Sequence, residues 1–397
     1  MNRLLFLFLL VGAVFCPAAE AQINCTPTSP KLACVIPNQL HLTGSQSLAF
    51  LNEAVGSQLG DLPLASPASG IIYTYDPRLN LPVPSNDTLG PVLTQRAETI
   101  GRHKIYLAVT YQFFRFEDID GTSMSQIPIL LSLQGGAAVT VSNNRLDLTA
   151  HQLGVYLTYG ATSRIDISIA MPILDVHERF ISSGTEYSTG GGSATFTNVS
   201  SGSKGATGIG DQVLAIKGTV WKPKQGGLAL GAEVRLPTGD AMNFLGSGTV
   251  GFKPFVSLTY GGRVSPHLNV AYEINGHSIL VTNAQGGEGR LPNRLIYSGG
   301  ADFGVTKWLT IATDVLAQNV NHAQRVSVVD ESVTNPVILT ASTIQPFVGS
   351  YNRTDFSGGV KVKPIGNLVL TGNVTVKLDQ GGLRARWVPF AGVSYTF

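Results

Sequence analysis

The segment "WVPFAGVSYTF" at the end of the sequence alternates between two kinds of side chain. Residues that are mostly large and apolar occupy every second position up to the last aromatic residue: Trp387, Pro389, Ala391, Val393, Tyr395 and Phe397. Several of the positions between them are small or polar. A period of two predicts a β-strand with one apolar and one polar face. Such a strand fits either a soluble sandwich or the wall of a barrel in a membrane.

The same alternation recurs from about Lys104 onward and predicts about 12 strands. At 165–173, for example, isoleucine or methionine stands at every odd position. From 165 onward the charged residues of the strands fall on the opposite parity: Asp166, Lys217, Glu233, Arg235, Lys253, Glu273, Asp302, Asp314, Lys361, Lys377 and Arg386. Each of these strands therefore has one face without charges.

The connections between the strands favour a membrane barrel over a sandwich. Short connections such as "GATSR", "KPKQGG" and "KPIGN" alternate with mostly longer ones such as 181–207 and 319–350. Short periplasmic turns and longer outer loops are typical of barrels, in which a lipid-facing charge at mid-membrane costs ~2–4 kcal/mol. The sequence therefore predicts an all-β fold, a transmembrane antiparallel up-and-down β-barrel of about 12 strands, over residues 104–397.

Residues 144–160 fit this pattern less well. His151 shares the parity of Leu153, Val155 and Leu157, which directs its side chain toward lipid. Either a β-bulge or a position above the membrane would explain this placement.

Residues 1–21 have the features of a secretory signal peptide. Arg3 precedes an apolar run at 4–15, and the small-x-small triplet at 19–21 predicts cleavage after residue 21. A lipoprotein anchor on Cys16 is the competing interpretation, but the bulky Phe15 stands where that processing requires a small residue. The signal predicts export, and with the strand pattern it predicts the outer membrane of a Gram-negative-type bacterium.

Residues 22–103 differ from the rest of the chain. They contain many prolines, the pair Cys25 and Cys34, and one short amphipathic stretch, "SLAFLNEAVGSQL". An even number of cysteines in an oxidising compartment predicts a structural disulfide. Two thiols without nearby histidines supply only half of a zinc shell, so no metal site is predicted. We expect an irregular segment that either plugs the lumen or stays in the periplasm.

The charges predicted to face the lumen are the candidate functional residues: Glu233, Arg235, Lys253, Glu273, Lys217 and Asp314. Glu233 and Arg235 lie two positions apart on one strand, and Lys253 and Glu273 follow on the next two. These charges either fill the barrel and neutralise one another or line a pathway. A wall with both signs suits uncharged or zwitterionic solutes.

Composition narrows the set of partners. Charged residues make up 13% of the chain and the net charge is +2, which gives no basis for nucleic-acid binding. No cofactor is predicted. The expected partners are outer-membrane lipids, a small-molecule solute and the barrel-assembly machinery, for which Tyr395 and Phe397 are the predicted signal.

Two stretches carry a resemblance to a known family. The sequences "GIGDQVLAIKGTVW" and "GLALGAEVRLPTGDAMNFLGSGTVGFKPFVSLTYGG", with "RLPTGD" and the following "GSGT" as the most specific parts, resemble the MetA-pathway phenol-degradation family of outer-membrane barrels. The resemblance covers roughly 100–397. It implies a transporter-like barrel that passes small hydrophobic or aromatic compounds, and it carries over no catalytic or binding residues.

Two other functions remain as alternatives to a passive channel. Asp118 and Asp120 end the first predicted strand, and Asp175 and His177 end the third, which resembles the acidic and histidine pairs at the rim of omptin-like proteases. Such groups can activate water as general bases, although a solvated turn and a polar strand end are the simpler interpretation. A sealed structural or adhesive barrel is the other alternative. The prediction is a non-enzymatic passive channel or transporter for small solutes.

Overall fold

The computed structural model describes most of the chain. The described residues are 29–36, 49–59, 62–66, 73–76, 81–84, 88–132, 138–188, 192–199, 204–223, 226–282, 287–335 and 337–397. Residues 1–21 and Cys25, which carry the signal-peptide prediction and half of the disulfide prediction, lie outside them. Among the described residues, no helix is long and apolar enough to cross a membrane.

Twelve long strands of the described residues form one closed antiparallel sheet. They are β1 (Ile105–Ile119), β2 (Ala138–Gly160), β3 (Ile165–Ser188), β4 (Gln212–Trp221), β5 (Gly227–Leu236), β6 (Gly251–Thr259), β7 (Val264–Asn275), β8 (Asn293–Thr306), β9 (Leu309–Asn335), β10 (Val337–Val362), β11 (Leu368–Lys377) and β12 (Trp387–Thr396). Each strand pairs with the next, and β12 pairs with β1 from Phe390 opposite Gln112 to Thr396 opposite Tyr106. The predicted barrel of about 12 strands is confirmed.

Shorter elements lie outside this ring of strands. The N-terminal ones are a 3-10 turn (Leu32–Cys34), the helix α1 (Ala49–Leu59) and a small hairpin (Tyr73–Asp76 with Leu81–Pro84). The others belong to the loops: Thr122–Ser123, Ile127–Ser132, Ser193–Val199, Lys204–Ile209, the 3-10 turn Ala241–Asn243, His277–Thr282, Glu288–Arg290 and Leu383–Ala385.

Side chains alternate between the outer surface and the lumen. On β1, Leu107 and Val109 are 42% and 41% exposed, whereas Ala108 and Thr110 beside them are buried. Exposed aliphatic and aromatic side chains continue around the other eleven barrel strands. A continuous exposed apolar surface of this extent is stable only when another apolar surface or a lipid bilayer covers it. It forms the lipid-facing band of a membrane barrel.

The two ends of the barrel differ in the length of their connections. At one end the connections are short: 161–164, 222–226, 260–263, 307–308 and 363–367. At the other end they are longer, and the hairpin of β9 and β10 extends as far as Asn335 before it turns. Short turns mark the periplasmic end of a barrel. Exposed aromatic side chains cluster at this end, as in the aromatic girdle of a membrane barrel: Tyr159, Trp221, Tyr260 and Trp308.

His151 lies on the outer face of β2. The pairing of β2 with β1 and with β3 shows no register shift over the described residues, so no bulge turns this side chain inward. The hydroxyl of Tyr111 lies 2.7 Å from the Nδ1 atom of His151, and the ring of Phe113 packs beside it. His151 thus lies with these two aromatic residues toward the outer-loop end of the lipid-facing surface.

Candidate functional site: a chamber closed by the N-terminal segment

Four of the predicted lumen charges form a ladder across three neighbouring strands. The Nζ atom of Lys253 on β6 lies 2.6 Å from Oε2 of Glu233 on β5, its direct neighbour in the register. The Nη1 atom of Arg235 lies 3.0 Å from Oε1 of Glu273 on β7. These ion pairs follow from the strand period, because charges of the same parity on adjacent strands meet on one face.

Arg235 is the most heavily engaged member of this ladder. Its Nη2 atom donates a hydrogen bond of 2.6 Å to Oδ1 of Asn275, and its Nε atom lies 3.8 Å from Oδ2 of Asp211. Glu273 in turn lies 3.6 Å from the guanidinium of Arg294. All of these charged groups are buried, so each depends on its partners for the solvation that water would supply.

We expect Arg235→Ala to lower the free energy of unfolding by about 3–5 kcal/mol, because it leaves buried carboxylates without their cation. The matched control is Arg145→Ala, which removes the guanidinium from an exposed pair with Asp147 at 2.8 Å. That change is expected to cost about 0–1 kcal/mol. Urea unfolding in lipid vesicles, followed by heat-modifiable gel mobility, measures both. Equal effects of the two substitutions would contradict the structural importance of the ladder.

The other two predicted charges connect the wall to the N-terminal segment. Oδ1 of Asp314 on β9 lies 2.5 Å from Nε2 of His267 and accepts a hydrogen bond of 3.2 Å from the hydroxyl of Thr94. The Nζ atom of Lys217 on β4 lies 3.8 Å from Oδ2 of Asp166. Asp166 also accepts a hydrogen bond of 3.1 Å from the backbone N–H of Ile100, so both carboxylates lie where the N-terminal segment meets the wall.

Residues 88–100, here called the inner segment, cross the lumen at the periplasmic end. The backbone N–H of Leu89 donates to the hydroxyl of Thr310 at 2.9 Å, and that of Ala97 donates to the hydroxyl of Thr259 at 2.9 Å. Both threonines are buried near the short-turn ends of their strands. The main chain of the inner segment is thus hydrogen-bonded to two separate strands of the wall, β9 and β6.

Two buried lysines of the wall bind carbonyl oxygens of the inner segment. Lys217 donates to the carbonyls of Arg96 at 3.0 Å and Glu98 at 2.8 Å. Lys361 on β10 donates to the carbonyl of Pro91 at 2.5 Å. Charge-assisted hydrogen bonds are stronger than neutral ones. The two lysines therefore anchor the inner segment through its backbone.

The turn of the inner segment requires a glycine. Gly90 has φ +79°, and the side chain of Arg96 lies directly over it. A Cβ atom at Gly90 would lie 2.0 Å from Nη2 and 2.1 Å from Nε of Arg96. The Nη2 atom of Arg96 also donates to the carbonyl of Thr88 at 3.2 Å. Any side chain at Gly90 would therefore disrupt both the turn and the arginine that folds across it.

Residues 29–36 and α1, here called the outer segment, pack against the inner wall and the loops at the outer-loop end of the barrel. Their fully buried apolar side chains are Leu32, Val35, Ile36, Leu51, Val55 and Leu59. They pack in one cluster with Phe114, Phe116 and Phe180 of the wall and Phe244 of the loop 237–250. A Cβ atom at Gly56 would lie 2.8 Å from the ring of Phe244, so this contact is tight.

Glu53 gives the outer segment a predicted pH dependence. Burial raises the pKa of this α1 carboxyl from 4.5 to about 7, against a weaker opposing hydrogen bond from the backbone of Thr282. Between pH 4.5 and 7 an undocked helix loses this proton while the docked helix keeps it, so docking weakens as the pH rises. We expect faster hydrogen exchange of 49–59 at pH 8 than at pH 5, after correction for intrinsic rates. Glu53→Gln should remove this difference; a difference that persists in the variant would assign it to another group.

A cavity of about 270 Å³ lies between the charged ladder and the N-terminal residues 62–66 and 93–95. We call it the chamber. Its wall includes both ion pairs of the ladder, together with apolar side chains such as Phe255 and Ile296. Gln112 reaches across and donates to the carbonyl of Pro63 at 2.9 Å, which ties the residues beside the chamber to β1.

The remaining predicted residues lie apart from the chamber. Cys34 is disulfide-bonded, and Cys25 lies outside the described residues. The rings of Tyr395 and Phe397 meet edge to face with centroids 4.7 Å apart on the outer surface. The backbone N–H of Phe397 donates to the carbonyl of Ile105 at 2.8 Å, which extends the β12–β1 seam by one bond.

The two rim pairs do not converge. Asp118 is ion-paired with Lys377, and Asp120 lies 2.9 Å from the guanidinium of Arg325. Asp175 lies 3.1 Å from Nε2 of His177, and both of these side chains are exposed. Asp175 and His177 share the parity of the lipid-facing residues of β3. Val176, which lies between them, and Phe180, which lies beyond them, are buried. The pairs therefore do not form the shared site that a rim protease requires.

Sequence reasoning missed several buried groups of the lumen. His267 and Arg294 have the inward parity of β7 and β8, so the strand period could have identified them. Arg96 gave no such signal, because the inner segment has no regular period. The inner segment as a whole is placed by its contacts with six different barrel strands.

The closed sheet of twelve described strands and its lipid-facing belt make this chain an outer-membrane β-barrel protein. The model of the family described as "Putative MetA-pathway of phenol degradation" matches residues 133–287, which confirms the resemblance seen in the sequence over less than half of the chain. The comparison with curated proteins gives no match.

Solved structures similar to this chain include three outer-membrane proteins. An outer membrane channel from Pseudomonas putida F1 is 12% identical with a TM-score of 0.44, covering 76% of this chain and 98% of that one. The NanC porin is 9% identical with a TM-score of 0.40, covering 72% and 98%. A FadL homologue from Pseudomonas aeruginosa is 9% identical with a TM-score of 0.30, covering 83% and 94%.

Proposed function

We propose that this protein is a passive outer-membrane channel for small, hydrophobic or aromatic solutes, and that its N-terminal segment gates the lumen. The observation that carries the proposal is the chamber: a cavity of about 270 Å³ inside the barrel, bordered by residues 62–66 and 93–95 rather than by the wall alone. The description of the matching family supports the solute class. The mixed apolar and ion-paired lining supports it as well.

The inner segment is the gate in this proposal. It is bound by hydrogen bonds to hydroxyl, ammonium and carboxylate groups of the wall, without a strand of its own in the barrel. Such contacts can be exchanged for water without breaking the sheet. Passage then requires movement of residues 88–100 and leaves the ring of β-strands intact.

Gly90→Ala tests the gate with a single methyl group. Because that methyl overlaps the guanidinium of Arg96, we expect the inner segment to be displaced and the permeability to rise. Gly372→Ala is the matched control, since a Cβ atom there meets nothing within 4 Å. Swelling of proteoliposomes in uncharged solutes of increasing size is the measurement.

A sealed structural barrel is the competing function, favoured by the well-packed outer segment. In that case both glycine variants and the unaltered protein give the same low swelling rate. A raised rate in both variants would instead indicate general loosening of the barrel and would contradict the gate.

A further inference from the structure

The charged groups of the chamber are already paired with one another. The lining cations among the described residues are Arg235, Lys253 and Arg353, and the lining carboxylates are Glu233, Glu273 and Asp355. Each cation lies near one of these carboxylates, at 3.0 Å, 2.6 Å and 3.3 Å respectively. Neither sign is in excess, so the chamber offers no strong site for an ion.

Two neutral polar side chains of the chamber differ from the rest. Within the part of the chain that the structure describes, neither Oδ1 nor Nδ2 of Asn269 has a hydrogen-bond partner, and the same holds for Oγ of Ser66. Ser66 is only 4% exposed. Buried polar groups are nearly always hydrogen-bonded, so an unpaired group beside a cavity calls for a ligand or water.

Other neutral polar groups of the chamber are already engaged. Gln95 donates to Glu233 at 2.8 Å, and Ser168 accepts from the hydroxyl of Thr158 at 2.9 Å. Gln112 donates to the carbonyl of Pro63 at 2.9 Å. Among the neutral side chains that line the chamber in the described part of the chain, the buried atoms without a partner thus belong to Asn269 and Ser66.

The size and lining of the chamber define what fits there. A cavity of ~150 Å³ lined by apolar side chains holds one benzene molecule. The chamber, at about 270 Å³, holds one ring with a substituent. Apolar side chains from the wall and the N-terminal segment supply the surface for the ring: Leu64, Leu93, Val213, Phe255 and Ile296.

We propose that the chamber is a binding site for an uncharged, single-ring-sized solute, and that Asn269, with Ser66, recognises its hydroxyl or carbonyl group. The amide of Asn269 donates through Nδ2 to the oxygen of the solute, and Oδ1 accepts from a hydroxyl. Asn269 is then the specificity-determining residue that separates polar uncharged solutes from hydrocarbons, and the paired charges of the lining disfavour carboxylates. This inference rests on the proposed channel function.

Three probes of similar size test the proposal by calorimetry on the full-length protein in detergent: benzyl alcohol, toluene and benzoate. We expect benzyl alcohol to bind more tightly than the other two. Asn269→Leu keeps the branched shape and the number of heavy atoms but removes the amide. It should weaken the binding of benzyl alcohol by about tenfold, the loss expected for one or two neutral hydrogen bonds. Toluene should be unaffected or bind more tightly. Ser66→Ala should produce a smaller loss in the same direction.

Asn319→Leu is the control, because that amide is exposed near the outer hairpin and pairs with Asn352. It should leave the affinity for all three probes unchanged. Heat-modifiable gel mobility shows whether each variant is folded. Equal losses for benzyl alcohol and toluene in Asn269→Leu would mean that only the cavity shape had changed, and would overturn the recognition role.

Other outcomes separate this site from the channel. Preferential binding of benzoate, or no binding of any probe to the unaltered protein, would overturn the site even if the swelling assay supports the channel. Benzyl alcohol binding could depend on Asn269 while Gly90→Ala leaves the swelling rate unchanged. That result would support the binding site and refute the gate.

Discussion

A chain that lacks residues 22–99 is expected to conduct strongly in planar bilayers, whereas the full-length protein conducts weakly. The deletion removes the outer segment and all of the inner segment except Ile100, and with them the backbone groups that Lys217 and Lys361 bind. The inward ammonium groups then face water. Because the wall is a closed sheet of its own, its pairing from β1 to β12 does not depend on the deleted residues.

A shorter deletion, of residues 22–66, separates the two segments. It removes the outer segment but leaves residues 88–100 and their hydrogen bonds to the periplasmic end of the wall. We expect its conductance to stay close to that of the full-length protein. A sharp rise already in the shorter deletion would place the barrier in the outer segment. Identical traces for all three proteins would refute gating by the N-terminal segment.

Phe397→Ala is expected to reduce the amount of folded protein in the outer membrane. The ring of Phe397 is 57% exposed and packs edge to face on Tyr395 at the short-turn end of β12. Its removal takes a large apolar group from the lipid interface and from the seam at which the barrel closes. We also expect this aromatic pair to be what the assembly machinery engages, so the loss in yield should exceed the loss in stability.

Val348→Ala is the matched control for Phe397→Ala. Val348 is 65% exposed but lies on the β9–β10 hairpin, far along the chain from the closing seam. Outer-membrane yield and heat-modifiable mobility should be normal in this variant. A normal yield of Phe397→Ala, with mobility unchanged, would contradict the assembly role.

The strand period was enough to predict the wall of the barrel and the direction of its charges. A period of two leaves only two directions for each side chain, and charge excludes one of them in lipid. Glu233 and Lys253 could therefore be assigned to one face from sequence alone. Their ion pair at 2.6 Å also depends on which residues of β5 and β6 lie opposite each other. The alternation of side chains restricts this register but does not determine it.

The closure of the lumen could not be predicted in the same way. The inner segment has no periodic pattern, and its partners are 60 or more positions away in the sequence, such as Thr259 for Ala97 and Thr310 for Leu89. Most of its hydrogen bonds to the wall form through main-chain atoms, which every residue has, so composition carries little information about them. The requirement for glycine at position 90 could not be predicted either, because it arises only when the turn has folded and Arg96 lies over it.

The lysine anchors also determine which residues natural variation can change. Lys217 and Lys361 recognise peptide oxygens, so most of residues 91–99 can be substituted without loss of the anchoring bonds. The wall lysines and Gly90 have no such freedom. Saturation mutagenesis scored by sensitivity to large antibiotics should therefore tolerate change along the inner segment, with Gly90 as an exception, and reject it at two distant lysines. In a barrel of this kind, the residues that close the lumen can therefore diverge one at a time, while the wall residues that hold them stay constant.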